Sequence, residues 1–170
     1  MLIQEEIRAN RHCGGAGETM AANLAAEVEA LRRLPIFADI ELSKLKLLAF
    51  TSERVSFSPG ELLFRQDDVP EAAFVILEGQ VRLVVETPAG LRDFVDVPAG
   101  GIVGEIGILC DHPRIASAQA VVTVSALRIA RDPFLRMLME FPHIAITVMR
   151  ELALRLERTT RELWSLPPVA

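Results

Sequence analysis

The chain has 170 residues, 51% of them hydrophobic and 24% charged, with a formal net charge of −5. That length suits one well-buried domain with a helical extension and excludes two ordinary domains. The apolar-to-charged balance excludes wholesale disorder. A nucleic-acid partner is not expected: all but two of the 18 basic residues are arginines scattered along an acidic chain, and counterion release needs clustered cations.

Two cysteines, Cys13 and Cys110, lie far apart. They form no disulfide framework and fall short of a four-cysteine metal or cluster site, so a reducing cytoplasm is the expected location. The first residues, MLIQEEIRAN, bring acids early and no apolar h-region, unlike a signal peptide. No uninterrupted apolar run approaches the ~20 residues of a membrane span, and membrane insertion is not expected.

Residues 1–17 end in HCGGAG and read as a flexible segment; no Gly-Lys-Ser/Thr follows those glycines to make a phosphate loop. Residues 18–50 hold the N-terminal helices. The first, ETMAANLAAEVEALRRL, has an acidic first turn and a basic last turn and stops at Pro35. The second runs from Glu41 to Phe50 with Leu42, Leu45 and Leu48 or Ala49 on one face. Over residues 51–131 the character changes. Short segments (ELLFR, AAFVIL, VRLVVE, RDFVDV, AQAVVTV, ALRIA) recur between turn signals such as Ser58-Pro59-Gly60 and Pro98-Ala99-Gly100-Gly101. Turns every ~8–12 residues with no intervening helices predict an antiparallel double-sheet jelly roll rather than a parallel βαβ sheet.

Residues 132–166 are helical again. Asp132 is the expected N-cap of a helix reaching Glu140, with Pro133 at its first position. A longer helix follows from Pro142 to about Trp164. Along it Ala145, Met149, Leu152, Leu156, Thr159 and Leu163 alternate steps of four and three, a heptad seam. Such a helix either lies on its own β-roll or pairs with a second copy, and a homodimer through this helix is the favoured reading. The fold class is therefore α+β, mainly β: a double-stranded jelly-roll barrel flanked by N-terminal helices and two C-terminal helices.

One stretch carries the chemistry. Residues 104–117, GEIGILCDHPRIAS, set Glu105 and Arg114 at the two ends of an apolar turn. A surface ion pair and a ligand of complementary polarity are both compatible with that spacing. The element order and the run Gly104-Glu105-Ile106-Gly107-Ile108-Leu109 followed by Arg114-Ile115-Ala116-Ser117-Ala118-Gln119-Ala120 resemble the phosphate-binding cassette of the cyclic nucleotide-binding domain family. That family includes catabolite activator proteins, protein kinase A regulatory subunits and nucleotide-gated channels. The turns Ser58-Pro59-Gly60-Glu61 and Glu78-Gly79-Gln80-Val81 also resemble the family, and the likeness covers roughly residues 34–164.

The resemblance implies a cyclic nucleotide ligand, and residue chemistry fits it. A planar guanidinium at Arg114 meets the two exocyclic oxygens of a cyclic phosphate. Small residues at Gly104 and Gly107 give backbone N–H groups access to the same phosphate, with Ile106, Ile115, Ala116 and Ser117 beside them. Glu105 accepts from the ribose 2′-OH, so a deoxy sugar would leave a buried acceptor unpaired. Ile115 stands where the family usually has a small or hydroxylated residue, which leans the ligand towards cAMP rather than cGMP. Thr159 and Thr160 fall where catabolite activator proteins place a Thr-Ser pair on adenine; ordinary interfacial threonines are the other reading. Arg155 is a candidate purine contact or a solvated arginine. Trp164, the only tryptophan, is a candidate aromatic lid or an end-of-helix packing residue. Leu83 and Val97 are candidate base walls, though strand residues of this kind also serve as core.

No catalytic constellation, cofactor or metal is expected, and the strands contain no histidine for a cupin-like metal site. A haem or redox sensor using Cys110 or His112 is a remote rival. The expected function is a cAMP sensor without its own DNA-binding or catalytic domain, signalling to an unknown effector by movement of the C-terminal helix. The alternatives are an interaction domain of the same fold that has lost nucleotide binding, and the sensor domain of a larger regulator.

Overall fold

The computed structural model describes residues 16–38 and 40–165; the expected flexible segment falls almost wholly outside them. The chain runs α1 (Ala16–Arg32), a 3₁₀ turn (Pro35–Phe37), α2 (Leu42–Phe50), β1 (Ser52–Phe57), β2 (Leu62–Phe64), β3 (Ala72–Glu78), β4 (Gln80–Thr87), β5 (Gly90–Pro98), β6 (Ile102–Val103), α3 (Glu105–Cys110), β7 (Ser117–Ala120), β8 (Val124–Ala130), α4 (Arg131–Glu140) and α5 (Pro142–Ser165). The strands form two four-stranded sheets, ordered β1-β8-β3-β6 and β2-β7-β4-β5, with every pairing antiparallel. This is the mainly β jelly roll with flanking helices that the turn spacing predicts.

Strand periodicity divides the core in two. Along β3, Ala73, Val75 and Leu77 face one way and pack with Leu127 and Ile129 of β8 against Leu31, Phe37, Leu45, Phe134 and Ile144 of the helical layer. The alternate residues Ala72, Phe74 and Ile76 face the second sheet and meet Val81, Leu83, Val97 and Ala118. A strand covered on both faces has no polar side to show, which is why AAFVIL is an unbroken apolar run.

Several local expectations shift. AQAVVTV is two strands rather than one: β7 ends at Ala120, Val121 and Val122 stand partly in water, and β8 begins at Val124. The break is where the chain crosses between sheets. Asp132 is not an N-cap, because α4 already begins at Arg131, whose N–H donates to the Glu71 carbonyl at 2.8 Å. Asp132 sits in the first turn instead. Leu42 opens α2 and is exposed, while Leu45, Leu48 and Ala49 are buried.

On α5 the heptad seam straddles two faces. Ile144, Val148 and Leu152 pack onto the chain's own core, whereas Met149 and Leu156 point into water with Ile146. No helix among the described residues is long and apolar enough to cross a membrane.

Candidate functional site

Two glycines shape the turn that carries the site. Gly104 precedes α3 with φ +84°, and a Cβ there would come within 2.7 Å of Arg114 Nη1 and 3.1 Å of the Phe64 ring. Gly107 is held for space: a Cβ would meet Pro70 Cβ at 2.9 Å and the His112 carbonyl at 3.0 Å. Only glycine lets α3 lie this close to the β2–β3 connection.

Arg114 follows α3 and is 4% exposed. Its Nη1 and Nη2 donate to the carbonyls of Gly104 and Ala72, and its guanidinium carbon lies 4.2 Å from the centroid of the Phe64 ring, a cation–π contact. The main chain of Arg114 is clamped as well, its N–H donating to Asp68 O at 3.0 Å and its carbonyl accepting from Asp67 N–H at 2.9 Å. Nε has no hydrogen-bond partner among the described residues. Burial pulls the guanidinium pKa down, and the charges of Glu105, Asp68 and Glu71 oppose that shift. None of those carboxylates reaches ion-pair distance, so a permanently charged group lies buried on neutral partners.

Glu105, 2% exposed, opens α3. Its Oε1 accepts from Arg155 Nη1 at 2.9 Å, and Arg155 Nη2 donates to the Ile102 carbonyl at 2.6 Å. Burial raises the carboxyl pKa above the usual range; Arg155 and, less strongly, Arg114 pull it back. The fifty-residue separation of Glu105 and Arg155 brings α5 onto the cassette.

These groups enclose a cavity of about 220 Å³. Its lining includes Gly104, Glu105, Ile106, Gly107, Arg114, Ile115 and Ala116 from the cassette, Leu83 from β4, and Arg155 and Thr159 from α5. Ten of the fourteen sequence-nominated residues thus share one cavity. Arg155 reaches it as the partner of Glu105 rather than as a solvated arginine. Thr159 also donates its hydroxyl proton to Arg155 O at 3.0 Å.

The other four stand outside this lining. Ser117 is half-buried, its Oγ accepting from Gln66 N–H at 2.9 Å. Val97 is buried between the sheets and borders a neighbouring cavity with Glu105 and Arg155. Thr160 is half-buried beside Thr159, and Trp164 is 80% exposed near the end of α5. Phe64, Leu152 and Leu156 line the cavity without having been singled out in the sequence. Phe64 reads as an ordinary strand residue and the two leucines as seam positions; nothing in their spacing marks a ligand.

The cavity thus brings together a guanidinium, a carboxylate and a glycine-bounded turn, groups whose chemistry suits an anion and a hydroxyl. The family model for the cyclic nucleotide-binding domain matches residues 54–141, and the chain belongs to that family. It is 28% identical over 136 residues to a CRP-like cAMP-activated global transcriptional regulator of Mycobacterium tuberculosis, covering 79% of this chain and 61% of the relative. The catabolite activator protein of Thermus thermophilus is similar in structure with a TM-score of 0.65 and 28% identity, over 76% of this chain and 61% of that one. The regulatory subunit of a cAMP-independent protein kinase A from Trypanosoma brucei shares the fold, with a TM-score of 0.70 and 23% identity over 85% of this chain and 53% of that one. The chain therefore spans less than two thirds of the length of these relatives.

Proposed function

We propose that this chain is a non-enzymatic regulatory sensor of cyclic nucleotide, with cAMP preferred over cGMP. The observation that carries the reading is Arg114: a buried guanidinium without a carboxylate partner among the described residues, at a cavity whose turn is packed closely around it by Gly104 and Gly107. In this reading Arg114 takes the cyclic phosphate, together with the backbone of Gly104, Ile106, Gly107, Ile115, Ala116 and Ser117. Glu105 takes the ribose 2′-OH. Thr159 and Arg155 border the base, walled by Leu83. Thr160 and Trp164 join the base once α5 closes or a second copy docks on its exposed apolar stripe.

The Glu105–Arg155 pair gives this a mechanism. It ties α5 to the cassette. A ribose hydroxyl on Glu105 competes with Arg155, so ligand shifts the position of α5 by its differential affinity for the two arrangements. The moving helix carries the signal to an effector in the cytoplasm, within this chain's homodimer or a longer regulator.

A second reading is favoured by one fact: Glu105 and Arg114 already have partners inside the chain, as in a domain that has lost its ligand. Calorimetric titration of cAMP and cGMP into the native protein and Arg114→Ala separates the two. The sensor reading expects saturable cAMP binding, tighter than cGMP, that is lost in the variant. No heat with either nucleotide establishes the orphan domain.

A further inference from the structure

The cavity is more lopsided than a nucleotide needs. Its polar side chains are Glu105, Arg114, Arg155 and Thr159, and each already makes a hydrogen bond within the chain. Most of the remaining wall is Phe64, Leu83, Ile106, Ile115, Leu152 and Leu156. Two of these, Ile115 and Leu156, are still 49% and 68% exposed, so apolar surface at the site stays in water until something covers it. Covering it is favourable whatever the polar groups do.

We propose that this cavity also takes organic monoanions with an apolar body: one compact anionic group at the Arg114 guanidinium, and an aromatic or branched body against Leu83, Ile115, Leu152 and Leu156. The proposal rests on the site read above, not on a second one. A ribose must displace Arg155 from Glu105, whereas a ligand with no hydroxyl leaves that pair closed. The two ligand classes therefore compete for one cavity while holding α5 in different positions, and the apolar anion acts as an antagonist of cyclic nucleotide.

The test is a fluorescence titration of anilinonaphthalene sulfonate into the full chain, with cAMP as competitor. The expected result is saturable binding displaced by cAMP. Ile115→Thr and Leu156→Gln, both at exposed positions that spare the fold, weaken the probe by about tenfold. Leu47→Gln, at an exposed apolar position on α2 away from the cavity, leaves it unchanged. Glu105→Gln weakens cAMP more than the probe, because only the ribose contacts the carboxylate directly.

Probe affinity unmoved by both cavity variants, or weakened equally by Leu47→Gln, overturns the proposal. So does a loss in Glu105→Gln matching that of cAMP. If the variants move the probe as expected while cAMP neither displaces it nor gives heat, the nucleotide reading fails and this one stands. If cAMP binds through Arg114 while the probe ignores the cavity, the reverse holds.

Discussion

The cavity has two sides built on opposite terms. On the cassette side, between Gly104 and Ala116, positions are set by close contact: Gly104 against Arg114, Gly107 against Pro70, and the Arg114 main chain between Asp67 and Asp68. On the α5 side the wall is a helix that buries Ile144 and Val148, half-buries Leu152 and leaves Met149 and Leu156 in water. The first side is held by its own close contacts and main-chain hydrogen bonds. The second is tied to the first by Arg155 and by apolar packing, and it is the side to which the proposed function assigns movement. If the proposed function holds, preorganisation and motion fall to different elements of one site, and ligand contacts need not immobilise the helix.

Breaking the rigid side has the largest expected effect. Arg114→Met removes the buried cation, and cAMP affinity measured by calorimetry falls by at least about a hundredfold, as for loss of a desolvated charged contact. Thermal unfolding of the same variant shows a folded domain, because an apolar isostere fills the space of an unpaired charge. Gly104→Ala is next: the methyl group enters a positive-φ position 2.7 Å from Arg114 Nη1. It lowers stability by about 1–3 kcal/mol in denaturant unfolding and weakens cAMP by about tenfold through the displaced guanidinium.

The tie between the two sides is read by pH. Glu105 has its carboxyl pKa raised in the folded protein by burial. The folded state therefore holds that proton more tightly than the unfolded chain does. The resulting stabilisation is present at low pH and is lost as pH rises from the ordinary carboxylate range through the raised folded value. The Tm of the unliganded protein carries this falling component, and Glu105→Gln removes it. The smallest effect falls on the α5 side. Leu156→Glu changes the stability of the isolated fold by less than about 0.5 kcal/mol, since the residue is 68% exposed. Its consequence is in assembly: sedimentation shows a weakened α5-mediated dimer if the exposed stripe is the contact.

Legibility in the sequence followed the same division. The cassette is a local affair, in which two glycines, a glutamate and an arginine within 11 residues already resemble the family's phosphate-binding turn. Strand β3 was legible because burial on both faces leaves an unbroken apolar run. The α5 side was not legible in the same way. Leu152 and Leu156 obey the helical period whether they face core, ligand or a second copy. Arg155 meets Glu105 across 50 residues, through a packing of α5 on α3 that no local pattern encodes. The β7–β8 break hid in VVTV because a chain crossing between sheets keeps the composition of a strand.

Strand β3 has a further consequence. Its Ala72 carbonyl holds the Arg114 side chain, while the next side chain, Ala73, lies in the helical core. The ligand half and the helix half of the molecule are separated here by one thickness of backbone. A methyl group added at Ala73 would press on the helices, and the strand's response would shift the acceptor under the guanidinium. A substitution made at Ala73 to retune the helices would therefore also act on the acceptor beneath Arg114.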